Sequence, residues 1–253
     1  MVTRKSRREI DKMRVAGRIV AEVLALVEAE LKPGVSTGHL DRLAERHIRS
    51  AGAVPSFKGY GHRSNPFPGS LCISIDDEVV HGIPGERTIR EGQVVSVDAG
   101  AIHDGWHGDG ARTFYVGTPP AEIAELVDTT RLAMMAGIAA AVPGNHLGDI
   151  SAAIEDAAAP GGYGIVRQFV GHGIGTEMHQ EPQVTNYRTG VRGMKLVPGI
   201  CLAIEPMLTL GSHEVAVRPD GWTVVTRDGS LAAHFEHTIA VMDTGPEILT
   251  SVA

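Results

Sequence analysis

Residues 94–116 read VVSVDAGAIHDGWHGDGARTFYV, and this segment predicts a β-hairpin that carries two acids. Apolar runs at 94–97 and 113–116 enclose a centre rich in glycine and polar residues, as strands joined by a turn would. Asp98 ends the first run, and Asp109 follows 11 residues later. A hairpin of this length brings the two carboxylates side by side. Because an unpaired carboxylate at the end of a buried strand is costly, the pair predicts a functional site.

Two further acids occupy similar positions near other apolar runs. Glu205 directly follows the run 201–204, and Glu236 directly precedes the β-type run 237–241. These runs contain no lysine or arginine. Divalent metal ions such as Mn, Fe, Co or Zn are therefore the expected partners, and two ions would neutralise four carboxylates. His172, between two glycines, has open access to such a centre.

Other histidines are candidates for different roles. His179 and His81 lie in polar loops and are suited to donate hydrogen bonds to a substrate carbonyl. His103 and His107 flank the turn between the two aspartates and are alternative ligands, although we expect both to face solvent at a hairpin tip. The chain has no G-x-S-x-G serine elbow, no dinucleotide-binding G-x-G-x-x-G motif opening a helix, and no Walker loop.

The order of predicted elements repeats along the chain. A helix capped by Ser6 and ending at Pro33-Gly34 is followed by a shorter one from about 37 to Gly52. A second long helix ends at Pro143-Gly144, and a shorter one follows. Strands are predicted at 71–75, 94–97, 113–116, 166–170, 201–204, 224–226 and 237–241. This repetition favours a duplicated α+β fold with halves of about 1–118 and 119–253 that share one cleft.

Composition limits the class of protein. The chain has 253 residues, 43% of them hydrophobic, a formal charge of -7, and a mean hydropathy of 0.00. This composition excludes disordered and fibrous classes and disfavours a nucleic-acid-binding face. The longest uncharged apolar run, 132–142, is too short to span a bilayer. The basic start of the chain lacks the apolar stretch of a signal peptide, so we expect a cytoplasmic protein.

Several motifs occur in an order typical of one enzyme family. They are Asp98-Ala99-Gly100 with Gly108-Asp109, the segments 171–175 (GHGIG), 203–207 (AIEPM) and 235–238 (FEHT), and also 80–84 (VHGIP) and 220–222 (DGW). Together these motifs resemble the metal site of the methionine aminopeptidases of peptidase family M24. The resemblance extends over about residues 6–250. The resemblance implies the pita-bread fold, an α+β architecture whose pseudo-two-fold halves form an antiparallel sheet with helices packed on its outer side. The 31-residue gap between Glu205 and Glu236 leaves no room for the type II insert, so the chain resembles the short bacterial type I form.

The resemblance also implies a ligand set for two divalent ions, which would be Co, Mn, Fe, Zn or Ni. By this match, Asp98 binds the first ion, Asp109 and Glu236 bridge the pair, and His172 and Glu205 bind the second. A water bridging the ions would attack the scissile carbonyl, with Glu205 moving the proton. The activity implied is removal of the initiator methionine when the second residue is small.

Further residues match positions that contact the substrate in this family. His81 and His179 would hydrogen-bond around the scissile amide. The methionine side chain would lie in a pocket lined by Tyr60, Phe67, Cys72, Met178 and Trp222. The chain departs from the family pattern in two places here: the loop 60–67 is longer than usual, and Met178 replaces an aromatic residue.

Two alternatives stay open from sequence. One is a proline-specific aminopeptidase or prolidase of the same fold, and the other is a non-catalytic pita-bread module that binds ribosomes or nucleic acid. If the chain acts as the resemblance to methionine aminopeptidases implies, we expect a monomeric cytoplasmic enzyme that acts on nascent N-termini, without a membrane or direct nucleic-acid partner. Docking on the ribosome is left open.

Overall fold

The computed structural model describes residues 2–252 and contains four α-helices in two pairs. The helices are α1 (Arg7–Glu30), α2 (Thr37–Ser50), α3 (Ala121–Ala140) and α4 (Leu147–Ala158), and a 3-10 turn (Ala159–Gly161) follows α4. The predicted capping box is present at α1, because the Ser6 hydroxyl accepts from the backbone N–H of Glu9 while the Glu9 carboxylate accepts from that of Ser6.

Fifteen strands are described between and after the helices. They are β1 (Val54–Pro55), β2 (Leu71–Ile75), β3 (Glu78–Val80), β4 (Val94–His103), β5 (Trp106–Tyr115), β6 (Gly164–Ile165), β7 (Gly171–Gly173), β8 (Gln180–Val184), β9 (Cys201–Ile204), β10 (Met207–Thr209), β11 (Val215–Val217), β12 (Val224–Thr226), β13 (Ala232–His234), β14 (Glu236–Met242) and β15 (Gly245–Ile248).

The strands form one large and two small sheets, and every pairing is antiparallel. The nine-stranded sheet runs β1-β4-β5-β14-β9-β7-β8, with β2 on β4 and β15 on β14. The three-stranded sheets are β13-β10-β6 and β11-β12-β3. Strands from the two halves of the chain meet in the large sheet at the β5–β14 pair.

Strand alternation separates the helices from the acids. Val95, Val97 and Ala99 of β4 pack in one apolar core with α1 and α2. Ile239 of β14 belongs to a second core that includes residues of α3 and α4. Because successive side chains of a strand point to opposite faces, Asp98 lies on the face of the large sheet that is turned away from these helices. The helices therefore cover one side of the sheet and leave the other for a polar site.

Most predicted elements are confirmed, and one strand is misplaced. The hairpin is longer than expected, because β4 and β5 stay paired up to His103 and Trp106. The predicted strand 166–170 is wrong: β6 ends at Ile165 and pairs with β10, whereas β7 begins at Gly171 and pairs with β9. The intervening residues link two different sheets, so the chain bends there. Within residues 2–252, no helix has the length and apolar character required to cross a membrane.

Candidate metal centre

Three adjacent strands bring three acids to one face of the large sheet. Ala111 of β5 lies opposite Asp98 on one side and opposite Glu236 on the other. Asp109 lies two residues from Ala111 on the same strand and therefore on the same face. The small alanine between the two acids leaves their carboxylates room to converge. The hairpin thus brings Asp98 and Asp109 to one face of the sheet, as predicted, and Glu236 lies beside them.

His172 and Glu205 approach the same face from the other half of the sheet. His172 lies opposite Ala203 of β9. Glu205 lies two residues after Ala203 and directly follows the end of β9. The Nε2 atom of His172 is 3.3 Å from Oε1 of Glu205 and 3.9 Å from Oδ2 of Asp109. Asp109, His172 and Glu236 each offer a donor atom, and these atoms lie within 4.8 Å of one another. The structure therefore brings the five predicted residues together around one point.

The carboxylates are buried without enough hydrogen-bond donors. Oδ1 of Asp98, Oδ1 of Asp109 and Oε1 of Glu236 are buried and have no hydrogen-bond partner within residues 2–252. Burial raises the pKa of Asp98 to about 7. Burial and the neighbouring carboxylates also raise the pKa of Asp109, Glu205 and Glu236 well above ordinary values. Such a cluster is unfavourable unless a cation compensates the charge.

A first-row divalent metal fits this set of residues. One oxygen each of Asp98, Asp109 and Glu236 has no hydrogen-bond partner within residues 2–252 and can bind a metal ion. Carboxylate with imidazole is a donor set that suits Mn, Fe, Co or Zn. Burial lowers the pKa of His172 to about 3, so its ring is neutral and has a lone pair to donate. Its Nδ1 lies 3.0 Å from the carbonyl oxygen of Gly173, which leaves Nε2 turned towards the acids.

His81 is held beside the cluster by an unusual backbone conformation. It follows β3 directly and has a φ of 61°, in the left-handed region that residues with a Cβ adopt at a cost. At the next position, a Cβ on Gly82 would overlap the carbonyl oxygen of Ile73, so glycine is required there. The His81 ring lies edge-on to Phe169 and Trp222, with centroids 5.5 and 6.3 Å away. Burial lowers the pKa of His81 to about 4.

His179 lines the same cleft as His81 and contacts the ring of His172. Its ring centroid is 4.3 Å from that of His172, and its Nδ1 is 2.6 Å from the hydroxyl oxygen of Tyr60. Burial lowers the pKa of His179 as well. Both His81 and His179 line an open cleft of about 820 Å³ that reaches Asp98 and Glu205. Neutral imidazoles in this position can each donate one hydrogen bond to a ligand.

An apolar pocket of about 90 Å³ opens onto the acids. The five residues predicted to line it do so: Tyr60, Phe67, Cys72, Met178 and Trp222. Phe67 packs edge-on against Trp222, with ring centroids 5.3 Å apart. Cys72 lies opposite Asp98 in the β2–β4 pair, so the pocket floor belongs to the same sheet as the acids. Burial raises the pKa of the Cys72 thiol well above its ordinary value, which keeps the sulfur neutral.

The long loop 60–67 closes one side of this pocket. The side-chain amide of Asn65 donates to the carbonyl oxygen of Asp220 at 3.0 Å, and the indole N–H of Trp222 donates to the carbonyl oxygen of Asn65 at 3.1 Å. Gly61 lies so close to Trp222 that an added Cβ would be 2.6 Å from the indole ring. The additional residues of the loop are therefore ordered against the pocket wall.

Sequence reasoning was wrong about His107. The residue is only 8% exposed, because β5 already begins at Trp106 and places His107 inside the sheet. The Nδ1 atom lies 3.0 Å from the hydroxyl oxygen of Ser56, and the backbone N–H donates to the carbonyl oxygen of Gly175. The true turn consists of Asp104 and Gly105 alone. His107 is thus a buried neighbour of the site, not a solvent-facing residue.

Two other residues of the site were missed. Phe57 lines the pocket and packs edge-on against Phe67, with centroids 6.5 Å apart. His234 is 2% exposed, and its Nε2 lies 3.8 Å from Oε2 of Glu205 without a hydrogen-bond partner within residues 2–252. Its closeness in sequence to Glu236 was a usable signal, although His234 ends β13 and Glu236 begins β14, so the two residues belong to different strands. No comparable signal identifies Phe57, which lies in a loop.

Comparisons with known proteins agree with this arrangement. The model of metallopeptidase family M24 matches residues 11–243. A methionine aminopeptidase of Clostridium acetobutylicum is 52% identical over 251 residues, which cover 99% of each chain. Methionine aminopeptidase 1 of Bacillus subtilis is 46% identical over 252 residues and the whole of both chains.

Solved structures confirm the pita-bread fold. The crystal structure of methionine aminopeptidase from Thermotoga maritima superposes with a TM-score of 0.96 at 41% identity, over the full length of both chains. Prolidase from Pyrococcus furiosus shares the fold alone, with a TM-score of 0.78 at 21% identity, over 99% of this chain and 66% of that one. From the family match, the relatives and the cluster of acids, we conclude that the chain belongs to metallopeptidase family M24.

Proposed function

We propose that this protein is a type I methionine aminopeptidase, which hydrolyses the first peptide bond of chains that begin with methionine followed by a small residue. The observation that carries the proposal is the direct contact between the acid cluster and the apolar pocket, since one cavity is lined by both. Three relatives that are 46–52% identical are named methionine aminopeptidase, and they match 99–100% of the chain.

The acid cluster is proposed to hold two divalent ions. Asp98 would bind the first ion and His172 with Glu205 the second, while Asp109 and Glu236 would bridge them. Bound divalent ions polarise a carbonyl oxygen and make water a stronger nucleophile near neutral pH. The unpartnered oxygens of Asp98, Asp109 and Glu236 support this assignment, because ligation satisfies the oxygens and compensates their charge.

Glu205 and the two cleft histidines would handle protons and orientation. Glu205 would accept a proton from the attacking water and deliver it to the amide nitrogen as the carbon–nitrogen bond breaks. His81 and His179 would donate hydrogen bonds to the substrate around the scissile amide. Both rings are neutral because burial lowers their pKa, so each has one N–H for this purpose.

The pocket would select the methionine side chain. Its lining of aromatic rings and the sulfur atoms of Cys72 and Met178 suits a flexible, polarisable thioether. The free amino group of the substrate would lie at the acid cluster, which limits cleavage to the N-terminal residue. His81 and His179 would restrict the space beyond the scissile bond, so a small second residue would be preferred.

We further propose that residues 1–253 act as a single catalytic unit in which halves of about 1–118 and 119–253 each contribute ligands. The β5–β14 pair supports this proposal, because it joins strands of the two halves beside the acids. The natural substrates would be nascent N-termini in the cytoplasm, and the active form would be a monomer.

The test is a comparison of two kinds of peptide with metal-free and metal-loaded protein. We expect Mn- or Co-dependent release of methionine from peptides with a small second residue, such as Met-Ala-Ser, and no cleavage of Ala-Pro-Leu. Cleavage of Ala-Pro-Leu alone would assign the chain to the proline-specific relatives. Metal binding without cleavage of any peptide would indicate a non-catalytic module. The control is Asp128→Asn, a change of an exposed acid on α3.

A further inference from the structure

The Tyr60 hydroxyl makes a contact that a lining residue of an apolar pocket does not need. Its oxygen is 2.6 Å from Nδ1 of His179, a short hydrogen bond between side chains 119 residues apart. The rings are also in contact, with centroids 5.3 Å apart. This is the one hydrogen bond that the hydroxyl forms within residues 2–252. Tyr60 is therefore coupled to a ring that faces the cleft.

This hydrogen bond has a consequence for the His179 ring. A neutral imidazole carries its proton on one nitrogen and accepts with the other, and the partner of one nitrogen fixes the tautomer. A phenol is a stronger donor than acceptor, so Nδ1 of His179 accepts and the proton is on Nε2. The N–H is then at the edge of the ring opposite Tyr60. A ring in this tautomer can donate to a carbonyl oxygen but cannot accept from an amide.

The loop that carries Tyr60 is fixed at both ends. The backbone N–H of Tyr60 donates to the carbonyl oxygen of Phe57, and that of Phe67 donates to the carbonyl oxygen of Tyr60, each at 2.9 Å. Asn65 is hydrogen-bonded to the turn that contains Trp222. These contacts hold the Tyr60 ring in place although 41% of the residue is exposed. A fixed donor can keep His179 in one tautomer, whereas a mobile one cannot.

We propose that Tyr60 is a positioning residue that holds His179 in the Nε2–H tautomer and so keeps it ready to donate to the substrate carbonyl. The inference rests on the proposed function, because the role of His179 as a donor belongs to that proposal. Tyr60 acts through its hydroxyl, and its ring remains part of the pocket. Removing the hydroxyl leaves the pocket lined and the tautomer free.

The direct test is the protonation state of the His179 ring. Long-range ¹H–¹⁵N correlation spectra of the Zn(II)-loaded protein report which nitrogen of each histidine is protonated, and His179→Gln identifies the relevant signals. We expect a protonated Nε2 and an unprotonated Nδ1 in the wild type and a mixture of tautomers in Tyr60→Phe. A protonated Nδ1 in the wild type, or a Tyr60→Phe spectrum identical to that of the wild type, would overturn the proposal.

Kinetics supply a second, independent readout. Tyr60→Phe should lower kcat by about fivefold, the effect of one hydrogen bond, and by the same factor for peptides that begin with methionine or norleucine. A residue that only lined the pocket would change the ratio between these peptides instead, and that result would contradict the proposal. The control is Tyr115→Phe, which removes a hydroxyl at the end of β5 and should leave both spectrum and rates unchanged. An inactive wild type with the expected spectrum would refute the proposed function and leave the tautomer assignment intact.

Discussion

Replacing Asp98 with asparagine should stabilise the metal-free protein while it weakens metal binding. The folded protein raises the pKa of Asp98 from an ordinary value of 3.8 to about 7. A raised carboxyl pKa means that the folded state loses stability, relative to the unfolded chain, as pH rises between these two values. Three pKa units correspond to about 4 kcal/mol, of which about 2.5 kcal/mol is lost between pH 5 and 7.5.

The substitution removes this charge and leaves a neutral amide in the same buried space. Because a buried amide without hydrogen-bond partners costs about 2 kcal/mol, the net gain at pH 7.5 should be about 2 kcal/mol. At pH 5 the wild-type carboxyl is protonated in the folded state, so the gain should disappear. The assay is urea unfolding in EDTA at both pH values, followed by tryptophan fluorescence.

Saturating Mn should reverse the order of the two proteins, since a ligand at 100 times its Kd stabilises the wild type by about 2.7 kcal/mol. The matched control is Asp128→Asn, which removes the same charge from a side chain that is 69% exposed. This change should alter stability by less than about 0.5 kcal/mol. If Asp98→Asn were less stable than the wild type in EDTA at pH 7.5, the account of a strained acid cluster would be refuted.

Three other predictions concern a proposed metal ligand, a pocket residue and the buried carboxylate of Glu78 on β3. His172→Ala should reduce kcat/KM by at least about 100-fold with an unchanged far-ultraviolet circular dichroism spectrum, because it removes the imidazole nitrogen proposed to bind the metal; near-normal kinetics would exclude His172 as a ligand. Met178→Phe should change the relative rates for peptides that begin with methionine, leucine or norleucine, and an identical profile would remove Met178 from the pocket. Glu78→Ala should lower the free energy of unfolding by about 2 kcal/mol, because this buried carboxylate accepts hydrogen bonds from Arg87, Arg218 and the backbone N–H of Ile75. An unchanged urea unfolding curve would show that the ion pairs of Glu78 do not stabilise the fold.

The sequence could predict the site where strand periodicity and chemistry coincide. Asp98 and Glu205 end apolar runs, and an acid in that position has few explanations besides a metal or an ion pair. Antiparallel pairing then brings such positions together across a sheet, as the rows through Ala111 and Ala203 do. These features depend on local patterns, which a single sequence contains.

Features that depend on long-range packing were harder to predict. The misplaced strand 166–170 has β-type residues, but its neighbours belong to two different sheets, which no local pattern reveals. His107 was expected at a hairpin tip, because polar residues at 103–108 suggested a longer turn than the two residues that form it. Phe57 and the contacts of Asn65 with Trp222 arise from loops whose course depends on the whole fold.

We propose that the acid cluster and the adjoining pocket together perform metal-dependent release of methionine. The most direct measurement is a titration of metal-free protein with Mn(II), in which bound metal and the rate of methionine release from Met-Ala-Ser are recorded at each point. We expect no release in EDTA, a rate that rises in step with bound metal, and loss of both in Glu236→Gln. Release of methionine without metal, or full metal binding with no release, would contradict this proposal.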